Sequence, residues 1–225
     1  MSTLRVLTYN IFNAGRRGAP LHELVRQVTP DVLLVNESPK RPLLWRRDCK
    51  RFCDLWRMRY VTGGRDAGSN LIAVRGPVEV RWSHTEVIAQ PRFQPRRGVA
   101  VAQLRVHGRL LGVVSCHLSL DPQRREQEIG HVLAAAAPLR GPVILGGDLN
   151  ETAAGPSWQR VVRAGFVDPG DEEWLTFPAE APRRRIDALL VRGGARVLRH
   201  GDPGVPVELQ VAASDHRPVL AELEL

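Results

Sequence analysis

Long apolar stretches, cysteine and lysine are all scarce in this chain, and each scarcity removes a class of protein. Among the 225 residues the apolar runs are short, such as Val32 to Val35 and Val132 to Ala137. A bilayer-spanning helix needs roughly 18 to 20 such residues in a row, so no transmembrane segment is expected. The start, Met1 to Val6, has neither the charged opening, the apolar stretch nor the small-residue cleavage site of a signal peptide. The expected setting is therefore intracellular, in the cytoplasm. Three cysteines, Cys49, Cys53 and Cys116, cannot all pair within one chain, and no further Cys/His pair completes a four-ligand zinc set. Reduced thiols are expected, with Cys49 and Cys53 on one face of a helix. The sequence has no G-x-S-x-G elbow, no Walker A loop and no G-x-G-x-x-G fingerprint. It also lacks repeats and low-complexity linkers, so residues 1–225 read as one domain.

What is present in abundance is arginine. The formal charge is +8, and Lys40 and Lys50 are the only lysines. An excess of base favours a polyanionic partner such as nucleic acid or a phosphorylated metabolite. Short aliphatic or β-branched runs at 4–10, 31–37, 69–75, 98–106, 109–117, 142–147, 185–191 and 217–225 predict strands along the whole chain. Helices are predicted over 20–28, over 121–137 with Pro122 in the first turn, and near 155–164. Residues 91–97 and 201–206 read as Pro- or Gly-rich loops. Strands interspersed with few helices suggest two sheets packed face to face under an outer cover of helices.

The chemistry lies where the strand runs stop. Asn10 follows LRVLTY, Glu37 follows DVLLVN, His117 follows LLGVVSC, and Asp148 and Asn150 follow PVILGG. Asp187 opens the run in RRRIDALLV, and Asp215 and His216 precede the last strand. If these ends share one edge of a sandwich, the side chains meet at a common mouth. Carboxylates and carboxamides without thiolates form a hard-oxygen set suited to Mg²⁺ or Mn²⁺ rather than zinc. Two histidines add proton transfer near neutral pH. The set suits hydrolysis of a phosphate ester. Taken singly the residues have blander readings: an asparagine capping a turn, a solvated glutamate, a histidine packed in a core.

The segments TYN at 8–10, NES around Glu37, SCHLS around His117, GGDLNE, RRRID and SDHRPV resemble, in order, the motifs of the endonuclease/exonuclease/phosphatase superfamily, from residue 8 to 218. The resemblance implies a four-layer α/β sandwich of two mixed sheets with a divalent-metal site at one edge. It implies that Glu37 is the central metal ligand, with Asn36 before it where glutamine is commoner, and that Asn10 and Asp215 lie near the metal. Asp148 and Asn150 would orient the attacking water and hold the phosphoryl group. His216 would act as base or stabilise the phosphorane, oriented by Asp187. His117 matches the histidine of the deoxyribonuclease and sphingomyelinase branches rather than the tyrosine of the apurinic endonucleases. The resemblance departs at Arg96 and Arg97, where pancreatic deoxyribonuclease carries a glutamate supporting that histidine, so the partner of His117 stays open and Arg97 is a candidate phosphate binder.

The candidate segments for substrate choice are Asn13–Ala19, Arg41–Arg51, Arg92–Arg97 and Trp174–Arg185. Arg16, Arg17, Arg92, Arg96, Arg97, Arg183 and Arg184 flank the motif-bearing strand ends, which would bring several of them around one mouth to contact successive phosphates. Trp174 and Phe177 would stack on bases or pack in the core. Asn70 reads as a turn cap or a polar strand start near the site. Three functions stand: a metal-dependent phosphodiesterase or nuclease, favoured by the basic loops and the two histidines; a phosphomonoesterase acting on a nucleotide, sugar or inositol phosphate; and a silent nucleic-acid binder, disfavoured because every motif position is filled.

Overall fold

The structure is a computed structural model that describes residues 3–12, 18–170 and 173–225. Arg16 and Arg17, expected to bind phosphate, lie outside the described residues. The elements in chain order are β1 (Thr3–Asn10), α1 (Gly18–Val28), β2 (Val32–Asn36), α2 (Trp45–Leu55), β3 (Arg59–Gly64), a 3₁₀ turn (Arg65–Ala67), β4 (Asn70–Val74), β5 (Glu79–Ile88), β6 (Arg97–Val106), β7 (Arg109–His117), α3 (Pro122–Ala136), β8 (Val143–Asp148), α4 (Pro156–Arg163), β9 (Asp187–Arg192), β10 (Arg196–Gly201), α5 (Val207–Ala213) and β11 (Val219–Glu224). One sheet has the order β10-β11-β1-β2-β4-β3, the other β5-β6-β7-β8-β9. Both are mixed: β1 with β2, and β7 with β8, run parallel, and the other pairs run antiparallel.

Three apolar layers hold the sandwich together. Leu4, Val6, Leu34 and Ile72 of the first sheet meet Ala102, Leu104, Val113 and Ile144 of the second between the sheets. Leu21, Leu24 and Val25 of α1, Cys49 and Cys53 of α2, and Ala213 of α5 cover the outer face of the first sheet. Ile129 and Val132 of α3 and Trp158 and Val161 of α4 cover that of the second. This is the four-layer α/β sandwich. A fully buried aliphatic side chain contributes about 1.5–3 kcal/mol relative to exposure, and a central strand such as β2, buried at all five positions, gains on both faces.

The eight expected strands and three expected helices are present with shifted ends. Besides the 3₁₀ turn, four elements lie where no element was expected: β3, β5, β10 and α5. β5 and β10 are sheet edges exposed along much of their length, so their patterns carry no apolar stripe. The expected substrate loop Arg41–Arg51 is corrected from Trp45 onward, where it becomes α2. Cys49 and Cys53 do share a face, both are buried against the first sheet, and all three thiols are unpaired. No helix among the described residues is long and apolar enough to cross a membrane.

The two glycines before Asp148 have separate causes. A Cβ on Gly146 would meet Leu189 Cδ2 at 2.6 Å and Leu34 Cδ1 at 2.7 Å, so glycine lets the sheets approach. Gly147 has φ +148°, and a Cβ there would lie 1.8 Å from the Cys116 carbonyl oxygen. Replacing Gly147 by alanine should therefore cost about 3 kcal/mol, adding backbone strain to overpacking. Urea unfolding measures this, and a cost within about 0.5 kcal/mol, the range of an ordinary surface change, would contradict it.

Candidate active site

Parallel register brings the polar strand ends to one edge. Asn10 pairs with Asn36 across β1 and β2, and His117 pairs with Asp148 across β7 and β8. Antiparallel β9 begins at the same level, so Asp148 also pairs with Asp187. The first sheet faces the second here, and the two sets of ends form the floor of a cleft of about 470 Å³. Glu37, His117, Asp148, Asn150, Asp215 and His216 line it, with Lys40, Arg65, Arg96 and Arg97 around them. Asn10 and Asp187 are buried and touch the lining residues from behind.

Asp148 is the hub. Its Oδ2 accepts from Asn10 Nδ2 at 3.1 Å, and its Oδ1 accepts from the Asn150 backbone N–H at 2.9 Å. The same Oδ2 lies 3.3 Å from His117 Nε2 and 3.8 Å from His216 Nε2. His117 Nε2 is also 3.2 Å from Asn150 Nδ2, so its tautomer decides whether it accepts from the amide or donates to the carboxylate. Burial, reinforced by the charge of Asp187, pushes Asp148 up to about 7 despite the opposing pull of His216, the Asn150 N–H and Asn10. Glu37 and Asn150 both have left-handed backbones, with φ of 59° and 50°. Such conformations persist in non-glycine residues where the surroundings hold them in place.

His216 and Asp187 form the expected dyad, with Nδ1 2.9 Å from Asp187 Oδ2. Burial alone would lower the imidazole's pKa, but the charge and hydrogen bond of Asp187, with Asp148 and Asp215, raise it to about 10. The ring of Phe177 packs 4.7 Å from that of His216, and Thr176 Oγ1 accepts from the backbone N–H groups of Ile186 and Asp187 at 3.1 and 3.2 Å. Ser214 Oγ donates to the Asn10 carbonyl at 2.6 Å and accepts from His216 N–H at 3.2 Å. His117 is driven the other way: burial, then the charges of Arg97, His216 and Lys40, lower its pKa well below the usual histidine value.

Arg97 is mostly buried at the cleft wall. Burial lowers its pKa, while Glu128, Asp148 and Glu37 act to hold the charge. Its Nε finds no hydrogen-bond partner among the described residues. Arg96 is exposed at the mouth. Arg184 does not line the cleft. Its guanidinium lies 5.4 Å from the Phe177 ring centroid, beside a smaller depression shared with Arg183, Thr152, Ala153 and Leu175. Arg92 stacks on Phe93 instead. Trp174 packs against the core between the sheets, and its Nε1 donates to the Pro218 carbonyl at 3.3 Å.

Asp148, Asp187 and His216 bring potential ligand atoms within 4.8 Å of one another. Asp187 is already committed to His216 Nδ1 and does not face the cleft, so this trio reads better as a proton-handling cluster. The carboxylates and carboxamide among the residues lining the cleft are those of Glu37, Asp148, Asn150 and Asp215. With no thiol among the lining residues, that donor chemistry fits a hard divalent cation. Asn10 turns its amide nitrogen to Asp148 and accepts from Phe12 N–H through Oδ1.

A model of the Endonuclease/Exonuclease/phosphatase family matches residues 7–216. The chain belongs to this family. Solved structures share the fold at low identity. An endonuclease/exonuclease/phosphatase from Bacteroides vulgatus is 19% identical with a TM-score of 0.78, all of both chains being covered. A Bacteroides thetaiotaomicron mannosyl-6-phosphatase is 19% identical with a TM-score of 0.79, over 99% of this chain and 100% of that one. D. rerio TDP2 complexed with a single-strand DNA product is 19% identical with a TM-score of 0.72, again over the whole of both chains. No curated protein sequence matches the chain.

Sequence reasoning about the family's motifs passed over Thr176, Ser214 and Glu128. Glu128 is buried and accepts from Ser119 N–H at 2.7 Å and Ser119 Oγ at 2.5 Å, just beyond His117. Its position beside Ile129 and Val132 on the buried face of α3, which also carries Arg125, was the sequence signal for it. The opposed shifts of the two histidines give an expected outcome. In the metal-free protein, imidazole ¹⁵N shifts should report His216 still cationic at pH 8 and His117 already neutral at pH 6. Titration of both near 6.5 would contradict the electrostatics of the site.

Proposed function

We propose that the protein is a divalent-metal-dependent phosphoesterase, acting as one domain over residues 1–225, that hydrolyses phosphodiester bonds in nucleic acid by in-line attack of water. The observation that carries this reading is the meeting, in one cleft, of the Glu37, Asp148, Asn150 and Asp215 oxygens with His117, His216 and Arg97. Glu37 and Asp215, assisted by Asp148 and Asn150, would hold Mg²⁺, with Mn²⁺ as a substitute. The bound cation would polarise a phosphoryl oxygen and neutralise charge developing on it.

The chain's own groups do the rest. Asp148, between His117 and His216 at the cleft floor, is placed to accept a proton from the attacking water, and Asn150 holds the phosphoryl group beside it. His216, kept cationic by Asp187, stabilises charge on the pentavalent phosphorus. His117, kept neutral, contributes a hydrogen bond to a phosphoryl oxygen. Arg97, largely desolvated, binds the phosphate with more strength than an exposed guanidinium. Arg96, Arg65 and Lys40 at the mouth suit the flanking phosphates of an extended polyanion, and Arg184 with Arg183 extends this basic track past Phe177. That extension favours a nucleic acid over a small monoester. Three unpaired, buried thiols are consistent with a reducing compartment such as the cytoplasm.

With Mg²⁺ or Mn²⁺, the protein should hydrolyse bis-p-nitrophenyl phosphate and single-stranded oligonucleotides, and chelator should abolish both activities. Fast turnover of p-nitrophenyl phosphate with intact DNA would make it a phosphomonoesterase of a nucleotide, sugar or inositol phosphate instead. Glu37→Gln and His216→Gln should each lower kcat by at least about 100-fold while circular dichroism and melting stay near those of the parent. Near-normal rates in either variant would overturn the assigned roles. Oligonucleotide binding should weaken steeply as salt rises, through release of counterions from neutralised phosphates, and salt-independent binding would mean that the arginine track does not contact the phosphates.

A further inference from the structure

Two carboxamides lie behind the cleft, fully buried, and the proposed chemistry does not use them. Asn36 and Asn70 each have 0% exposure. Asn36 Oδ1 accepts from the Asp148 backbone N–H at 2.8 Å. Its Nδ2 donates to Asn70 Oδ1 at 2.7 Å and to the Cys116 carbonyl at 2.8 Å. Asn70 Nδ2 donates in turn to the carbonyls of Ala67 and Gly98, both at 2.8 Å. The Asn36 amide thus runs from β2 of one sheet to β7 and β8 of the other, and Asn70 fastens it to β6.

The chain on either side of Glu37 is pinned as well. The Asn36 carbonyl accepts from Ile11 N–H at 3.1 Å, and Ser38 N–H donates to the Ser69 carbonyl at 2.9 Å. Glu37 between them holds a left-handed backbone. One carboxamide therefore bonds directly to the backbone of Asp148 and is the chain neighbour of Glu37, while these two carboxylates come from different sheets. Apolar packing between sheets resists separation but tolerates small sliding. Directional hydrogen bonds in a low-dielectric interior do not, because each broken one leaves a buried polar group unpaired at a cost of about 1–3 kcal/mol.

We infer that Asn36, fastened by Asn70, is a positioning residue that fixes the spacing of Glu37 and Asp148 across the two sheets and so sets the affinity of the cleft for its divalent cation. This rests on the metal-dependent reading of the same site. A side chain that only supported the fold would change stability and leave metal affinity alone; a side chain that sets ligand spacing changes both.

The test uses Mn²⁺ alone, with the unbound ion followed by electron paramagnetic resonance, on the full chain and three variants. Glu37→Gln should lose the site. Asn36→Ser, small and polar enough to leave room for water, should weaken Mn²⁺ binding by about tenfold or more, the usual effect of removing a group that orients a metal ligand. Asn70→Ser, which touches neither carboxylate, should weaken it less but in the same direction, and it carries the test if Asn36→Ser does not fold. In both asparagine variants the Mn²⁺ concentration for half-maximal hydrolysis of bis-p-nitrophenyl phosphate should rise while KM for the diester stays put. A folded asparagine variant with a lowered melting temperature but parental Mn²⁺ affinity would reduce the amides to a structural role and overturn the inference alone. A parent protein with no Mn²⁺ site sensitive to Glu37→Gln would take down the functional reading and the inference with it.

Discussion

Parallel pairing at the centre of each sheet is the constraint on which the site depends. β1 and β2 end level at Asn10 and Asn36, and β7 and β8 end level at His117 and Asp148. A parallel pair needs a long crossover, here α1 in one sheet and α3 in the other. Those crossovers place helices on the outer faces and leave the carboxyl ends of the strands free at one edge. Facing two such edges across a single apolar core brings side chains far apart in sequence within hydrogen-bond reach, Asn10 and Asp148 among them.

An assembly of buried charges this dense is expensive, and its arrangement shows how the cost is met. Asp148 and Asp187 are both buried, with His216 between them. Each carboxylate makes the imidazolium more favourable, and the imidazolium in turn relieves their repulsion. The charges of Glu128, Asp148 and Glu37 in turn favour the charged form of Arg97. Backbone strain at Glu37 and Asn150 adds to the cost, and the pinned neighbours of Glu37 and the Asp148–Asn150 hydrogen bond hold these residues in place. The result is a set of groups already oriented before any substrate arrives, which is where electrostatic catalysis draws its advantage.

Much of this was legible in the linear chain. The eight strands with continuous aliphatic runs were readable because a strand buried on both faces has few polar positions. β5 and β10 were not, since an edge strand with an exposed face carries mixed residues whose order follows from pairing rather than burial. α2 was partly visible through the i, i+4 spacing of Cys49 and Cys53, but its arginine-rich outer face made residues 41–51 read as loop. The polar residues at the strand ends were readable one by one, and the motif order tied them together. The place of Arg184 beside the motif suggested the cleft, whereas its guanidinium lies over the Phe177 ring and is not among the groups lining the cleft.

Residue order alone determined the sandwich, the position of each polar group at a strand end, the hard-oxygen chemistry of the set and the basic character of the chain. The strand pattern only suggested the sandwich, which followed from the order of the motifs; the others follow from local periodicity and side-chain type, which do not depend on what lies across the fold. The tertiary structure decided the rest: that Asp148 and His117 titrate away from their ordinary values in opposite directions, that Arg97 is desolvated while Arg96 is not, and that Asn36 and Asn70 lock two sheets together. Each of those depends on burial and on neighbours distant in sequence, as far apart as the 138 positions between Asn10 and Asp148, because dielectric, desolvation and hydrogen-bond partnership are properties of a place in the folded molecule rather than of a residue in a chain.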